Sequence, residues 1–222
     1  MADALIVDAP YSAETHERSL GPGGYDGARR RELDYAAWSA ADVVAFVRAW
    51  SPLVRGWFVS ITDHRLAPVW SEALECEGRR AFPLLPLVEI ASRVRLRGDG
   101  PSSWTCWIVV ARPRCEPWSR WGTLPGAYVG PREAKAVVGG KPLWAMRALV
   151  RDYSRPGDLV CDPCCGAGTT LRAALEEGRR AIGGDIDAGR LAHARQWCAR
   201  PVQERIGVVV SAEQEAMPWV RE

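Results

Sequence analysis

Asp158-Leu159-Val160-Cys161-Asp162-Pro163-Cys164-Cys165-Gly166-Ala167-Gly168-Thr169-Thr170, with Gly184-Asp185-Ile186-Asp187 behind it, is the part of this chain that decides its fold. The apolar run over 158–162 suits a buried strand, the glycines make a turn, and the spacing over 169–178 predicts a helix. A strand over 180–185 and a helix over 188–199 follow, so the segment reads as a βαβ unit of a parallel sheet. Gly166 and Gly168 let backbone pass close to a ligand, and the helix start offers N–H groups without partners inside the helix. Asp185 ends the second strand, where a carboxylate can hold both hydroxyls of a ribose. A glycine turn alone joins many strands to helices. Strand, turn, helix and acid in this order predict a nucleoside-type ligand.

Outward from that unit, the apolar period keeps alternating between strand and helix. A buried strand over 4–7 runs into Asp8-Ala9-Pro10-Tyr11, and the polar, glycine-rich stretch 12–37 with Arg29-Arg30-Arg31 reads as a long loop. Ser39 caps a helix over 40–50, with Asp42 in the place of the usual Glu of a capping box. A strand over 57–62 and a helix over 68–77, closed by Gly78, come next. Strands over 81–91 and 104–111 flank the turn Gly98-Asp99-Gly100-Pro101, which predicts antiparallel pairing. Residues 112–140 show no period and read as irregular; a helix over 142–153 stops at Pro156-Gly157, and a last strand is expected over 206–210. The sum is one α/β domain over 1–222, built on a doubly wound, mostly parallel sheet of about seven strands.

The 222 residues are 47% hydrophobic and 25% charged, an ordinary globular composition that excludes disorder throughout. No apolar run has the length of a membrane span and the amino terminus lacks a basic leader, so a cytoplasmic protein is expected, nucleoid-associated while it acts. The seven cysteines read as reduced thiols. Cys161-x-x-Cys164 lacks the second pair or His partner that a zinc site needs, and no metal is expected. Charge is uneven: residues 93–155 carry ten Arg and two Lys against four acids, while the segments before and after are net acidic. That middle third suits a polyanion-facing surface as well as a solvated basic face.

Asp8-Ala9-Pro10-Tyr11 follows its strand with a carboxylate, a backbone carbonyl and an aromatic ring. An exocyclic amine on a base is a poor nucleophile, because its lone pair is delocalised into the ring. Acceptors for its hydrogens draw the nitrogen toward tetrahedral geometry while a ring stacks on the base. The tetrapeptide resembles the (Asp/Asn/Ser)-Pro-Pro-(Tyr/Phe) motif of amino-methyltransferases, with Ala9 in place of the first Pro. Asp162-Pro163-Cys164-Cys165-Gly166-Ala167-Gly168-Thr169-Thr170 resembles the DPFxGSGTT sequence by which those enzymes bind S-adenosylmethionine. Lys141-Pro142 keeps the end of their His-Pro-Thr-Gln-Lys-Pro segment. With the catalytic motif first, the order resembles the circularly permuted beta class of DNA amino-methyltransferases. Arg97-Gly98-Asp99-Gly100-Pro101 and Leu124-Pro125-Gly126-Ala127-Tyr128 are similar to small phage-associated members.

The resemblance implies a Rossmann-like methyltransferase fold with a catalytic half over 1–111, a short target-recognition segment over 112–140 and a cofactor half over 141–222. It places Asp8, Ala9, Pro10 and Tyr11 at the reacting base. It sets Asp162, Pro163, Cys164, Gly166, Gly168, Thr169 and Lys141 around S-adenosylmethionine, with Asp185 on the ribose. Arg112, Arg114, Arg120 and Arg132, with Trp118 and Trp121 between them, are expected to grip phosphates and stack on bases. Adenine N6 in a flipped-out base is the favoured target; cytosine N4, RNA or a protein glutamine, and a cofactor-binding remnant without catalysis stay open. DNA is the expected partner, a restriction-modification role is one context, and a homodimer is one arrangement.

Overall fold

A computed structural model describes residues 1–20, 35–90, 95–97, 100–103, 105–114, 121–133 and 140–202. Its strands are β1 (Ala4–Asp8), β2 (Phe58–Thr62), β3 (Arg79–Ala81), β4 (Leu85–Ile90), β5 (Arg95–Arg97), β6 (Gly100–Ser103), β7 (Cys106–Pro113), β8 (Tyr128–Pro131), β9 (Leu159–Asp162) and β10 (Arg180–Gly183). Eight of them form one sheet in the order β10-β9-β1-β2-β7-β4-β8, with β3 beside β4 on the same edge of β7. All neighbours pair parallel except those of β7, which is antiparallel to β2, β3 and β4. Strands β5 and β6 form a separate antiparallel hairpin.

Both faces of the sheet are covered, which is why its central strands are apolar on both sides. Leu5 and Val7 of β1 point to one face, among Val43 and Val47 of helix α2 (Ala40–Trp50) and Trp70 and Leu74 of helix α3 (Ala67–Cys76). Ile6 points to the other, with Met146, Leu149 and Val150 of helix α4 (Leu143–Tyr153) and Ala173 of helix α5 (Thr169–Glu176). The predicted capping box of α2 is present: the Ser39 hydroxyl accepts from the Asp42 N–H, and the Asp42 carboxylate accepts from the Ser39 N–H.

The chain leaves β9 through α5 on one face to reach β10 on one side. It leaves β1 through α2 on the opposite face to reach β2 on the other side. The connections from two adjacent parallel strands therefore diverge at their carboxyl ends and open a crevice, the place where α/β sheets bind ligands.

The stretch read as a loop from residue 12 begins with a helix, α1 (Ala13–Leu20). The single strand expected over 81–91 is two, because residues 82–84 stand opposite two residues of β7 in a bulge that contains Pro83, which has no N–H to give a ladder. Within the segment read as irregular, β8 adds a parallel edge strand to β4. The expected strand over 206–210 lies outside the described residues. Among the described residues no helix is long and apolar enough to cross a membrane.

Candidate active site

The crevice between β9 and β1 is lined from both sides, by Asp8 at the end of β1 with Pro10 beyond it, and by Asp162 at the end of β9 with Cys164 to Ala167 beyond it. Tyr35, Gly140, Lys141, Met146, Thr169, Thr170 and Asp185 complete it. The two motifs, more than half the chain apart in sequence, thus share one cleft.

Gly166 and Gly168 both have positive φ, 52° and 92°, which an L side chain disfavours. At Gly168 a Cβ would lie 2.8 Å from the Cβ of Ala194, so the glycine lets helix α6 (Ala188–Cys198) approach the turn. Pro163 and Gly168 stand in the same turn, next to the lining residues Asp162, Cys164, Ala167 and Thr169. The Asp185 carboxylate accepts from the Gly166 N–H at 2.8 Å and from the Asp187 N–H at 2.9 Å, one bond per oxygen. A carboxylate has about four lone-pair sites, so each oxygen keeps one for a hydroxyl. Asp187 faces elsewhere and caps α6 by accepting from the Arg190 N–H.

Asp162 is 1% exposed and accepts from the Cys164 N–H at 3.0 Å. Burial pushes its carboxyl up to about 7, against hydrogen bonds from Thr170 and Cys164, and the charges of Asp8 and Asp185 add to the rise. Burial also raises the thiols of Cys164 and Cys165, which makes them inert lining at neutral pH. Among the described residues no group of three His, Cys, Asp or Glu side chains is placed to hold a metal.

On the other wall, the Lys141 ammonium donates to Asp8 Oδ2 at 2.7 Å and stands 4.9 Å from the centre of the Tyr11 ring. The Tyr11 hydroxyl lies 3.3 Å from Asp8 Oδ1 and 3.4 Å from Cys106 Sγ. The resemblance assigns Lys141 to the cofactor, whereas its ammonium forms an ion pair with the acid of the catalytic tetrapeptide. Ala9 is buried in the apolar cluster over α2 and α3.

Sequence reasoning missed the group that fixes this loop. Asp63, just after β2 and 6% exposed, accepts at Oδ2 from the Ser12 N–H (2.8 Å), the Ser12 hydroxyl (2.6 Å) and the Thr15 hydroxyl (2.6 Å). Its Oδ1 accepts from the N–H groups of Arg65 and Leu66, both at 3.0 Å. Burial alone would raise its carboxyl, but these bonds outweigh it and hold the group below the usual range. Asp63 thereby supplies stiffness that Ala9, unlike a proline, does not. Asp63→Ala should lower unfolding stability by about 3 kcal/mol, the scale of buried charged hydrogen bonds left unmade. Urea melts test this, and a loss within experimental error would remove the anchoring role. Tyr35 and Cys106 are further residues of the site that no local motif marked, and Thr170 ends the cofactor motif without having been given a role.

Strand direction separates the cations. Thr62 at the carboxyl end of β2 pairs with Trp107, whereas Phe58 at its amino end pairs with Ala111. Cys106 is therefore at the cleft, and Arg112 is about 20 Å away along β7 at the opposite end of the sheet. Arg112 is buried with its guanidinium over the Phe82 ring, and Arg114 follows it out and stands 3.7 Å from Glu75. Trp121 packs edge-on against Trp57, beneath the Arg155 guanidinium. Arg132 is exposed just past β8, at the cleft end. Trp118 and Arg120 lie outside the described residues.

Solved structures share this architecture. The chain superposes on the M1.HpyAVI–SAM complex with a TM-score of 0.67 at 17% identity, covering 90% of this chain and 89% of that one. It superposes on TTHA0409 of Thermus thermophilus, named as a DNA modification methylase and complexed with S-adenosyl-L-methionine, with a TM-score of 0.62 at 20% identity over 92% and 88%. For the cytosine-N4-specific PvuII DNA methyltransferase the values are 0.56 and 11%, over 91% and 82%. In sequence, 43 residues are 42% identical to YubD of Escherichia coli (strain K12), named as a methylase, and that alignment spans 19% of this chain and 19% of YubD. Residues 97–196, which hold the glycine turn, Asp185 and Lys141, match the family model for N6/N4 DNA methylase. Residues 97–196 are thus similar to the N6/N4 DNA methylase family, and the chain as a whole shares its fold with these solved methyltransferases.

Proposed function

We propose that this chain is an S-adenosylmethionine-dependent DNA methyltransferase that acts on an exocyclic amine, with adenine N6 favoured over cytosine N4. The observation that carries the reading is that Asp8 and the Gly166–Asp185 turn meet in one cleft at the sheet's switch point. The residues fit the cofactor: three carboxylates line the cleft against its cationic sulfonium and ammonium, and Asp185 keeps acceptors for two ribose hydroxyls. When bound, S-adenosylmethionine supplies an activated methyl group. Asp8 accepts one amine hydrogen and, as the new N–C bond forms and the C–S bond breaks with its electron pair left on sulfur, takes that hydrogen as a proton. The Ala9 carbonyl takes the second hydrogen bond, and Tyr11 turns its ring to the base.

The adenine preference rests on resemblance, since a carboxylate in the first motif position is typical of the adenine enzymes and Ser of many cytosine-N4 enzymes. The likeness to a cytosine-N4-specific structure keeps the second reading in view. Incubation with mixed DNA, nuclease digestion and mass spectrometry decide between them, with N6-methyladenine expected. N4-methylcytosine alone would remove the adenine assignment and leave the mechanism, whereas no methylated base would leave a cofactor-binding remnant.

DNA must reach the cleft from the carboxyl end of the sheet. The β5–β6 hairpin leaves the carboxyl end of β4 and returns to the amino end of β7, beside Cys106 and Tyr11. We therefore infer target contact by this hairpin and Arg132 ahead of Arg112 and Arg114. Replacing Arg95 and Arg97 by Ala should reduce the slope of log affinity against log salt by about 2, since each phosphate contact contributes about 0.9. The Arg112→Ala, Arg114→Ala pair should leave the slope unchanged, and the reverse result would return the DNA to the far end.

A further inference from the structure

We propose that Lys141 is a positioning residue for methyl transfer: its ammonium, fixed on Asp8 Oδ2, balances the charge of that carboxylate and orients it, so that Oδ1 receives the target amine. The proposal rests on the function proposed above, and it gives Lys141 a role that its place in a cofactor segment did not indicate.

Bond lengths decide which oxygen exchanges. The Lys141 bond to Oδ2 is charged and short at 2.7 Å, and the lysine side chain is 8% exposed. The Tyr11 hydroxyl sits 3.3 Å from Oδ1, long for an O–H···O bond, so an incoming amine displaces it at small cost. That exchange frees Tyr11 from Asp8 as the base arrives.

The surroundings explain why a cation is needed. Asp8 is met by Lys141 from the segment before α4 and Tyr11 from its own loop, and around that trio stand Cys106 at the start of β7 and Tyr35 from the segment before α2. Asp162 and Cys164 face it from the turn after β9, with Asp185 behind them. Two further carboxylates thus line the same cleft, and both oppose a negative charge on Asp8. Burial works to strip the proton from Lys141, but the charge and hydrogen bond of Asp8 outweigh it and hold the ammonium above its ordinary value. The ion pair is mutually dependent, and removal of the ammonium leaves a carboxylate among carboxylates.

The test is the single-turnover rate of methyl transfer to DNA against pH, at saturating cofactor, for the full chain and for Lys141→Met, Lys141→Gln and Lys141→Arg. Two uncharged variants are used so that one failing to fold does not end the test, and thermal melts check each. We expect the uncharged variants to lose about 100-fold at pH 6.5. Their acid-side half-rate point should move up by about one pH unit or more, and Lys141→Arg should restore both rate and profile. Running the same pair in an Asp162→Asn background should preserve the displacement, because Asp162 itself titrates near pH 7. A slower profile with unchanged shape would make Lys141 merely structural. Weaker cofactor binding with an unchanged saturated rate would make it a cofactor ligand; either result overturns the proposal. Failure of the underlying reading is separate, since the unmodified chain would then methylate no DNA at any pH.

Discussion

Asp8→Ala should reduce methyl transfer by about 1000-fold or more, roughly 4 kcal/mol of transition-state stabilisation, while changing cofactor affinity less than about threefold. In the proposed mechanism the carboxylate meets the reacting amine, and it lines the cleft apart from the Asp185–Gly166 turn, so the two functions separate in space. The substitution also leaves Lys141 buried beside a cavity, and breaking a buried pair by removing one partner destabilises by about 3–5 kcal/mol. Melting must therefore be measured beside activity. The Asp8→Ala, Lys141→Met double variant should regain part of the stability and none of the activity. If single-turnover transfer by Asp8→Ala stayed within tenfold of the parent, the amine would have another acceptor and the tetrapeptide would not be the catalytic centre.

The parts of the fold that were legible in the sequence are those with local causes. The glycine turn, the Ser39 capping box and the alternation on β1 each state their structure within a dozen residues. Helix α1 did not, because its sequence lacks an apolar stripe and its start is held by Asp63, 51 residues from Ser12. Strand β8 was hidden for a similar reason. Tyr-Val-Gly-Pro carries little strand signal, and its place is set by the Trp144 ring against Gly130, where a Cβ would lie 2.7 Å from the ring, and by the Tyr128 bond to Asp152.

The candidate site divides in the same way. Each motif could be read alone, but the pair that joins their walls, Lys141 and Asp8, spans 133 residues and has no local signature. The position of Arg112 and Arg114 has a geometric origin. Antiparallel pairing was expected between the strands over 81–91 and 104–111, but it is the antiparallel pairing of β7 with β2 that carries the end of β7 away from the carboxyl ends of β1 and β2. Basic composition indicated a polyanion, and only strand direction could say which cations share an end with the chemistry.

Asp185→Ala should weaken S-adenosylmethionine binding by about 100-fold, the upper part of the 1.5–3 kcal/mol expected for a charged hydrogen-bonding group. Two losses combine. The ribose would no longer meet a carboxylate, and the N–H groups of Gly166 and Asp187 would lose the acceptor that draws the glycine turn toward the strand after β10. Gly166 sits at a φ of 52°, and its turn keeps a second tie through the Cys165 N–H to the Gly184 carbonyl at 2.9 Å. The turn should therefore loosen rather than unfold, and the melting temperature without cofactor should fall by no more than a few degrees, as about 1 kcal/mol does in domains near this size. Asp185→Asn keeps one acceptor oxygen and should lie between the two. Calorimetric titration of the parent, Asp185→Ala, Asp185→Asn and Asp8→Ala checks the order. Equal losses in Asp8→Ala and Asp185→Ala would show that the cofactor does not lie along the glycine turn, because only a ligand centred between the two acids would need both.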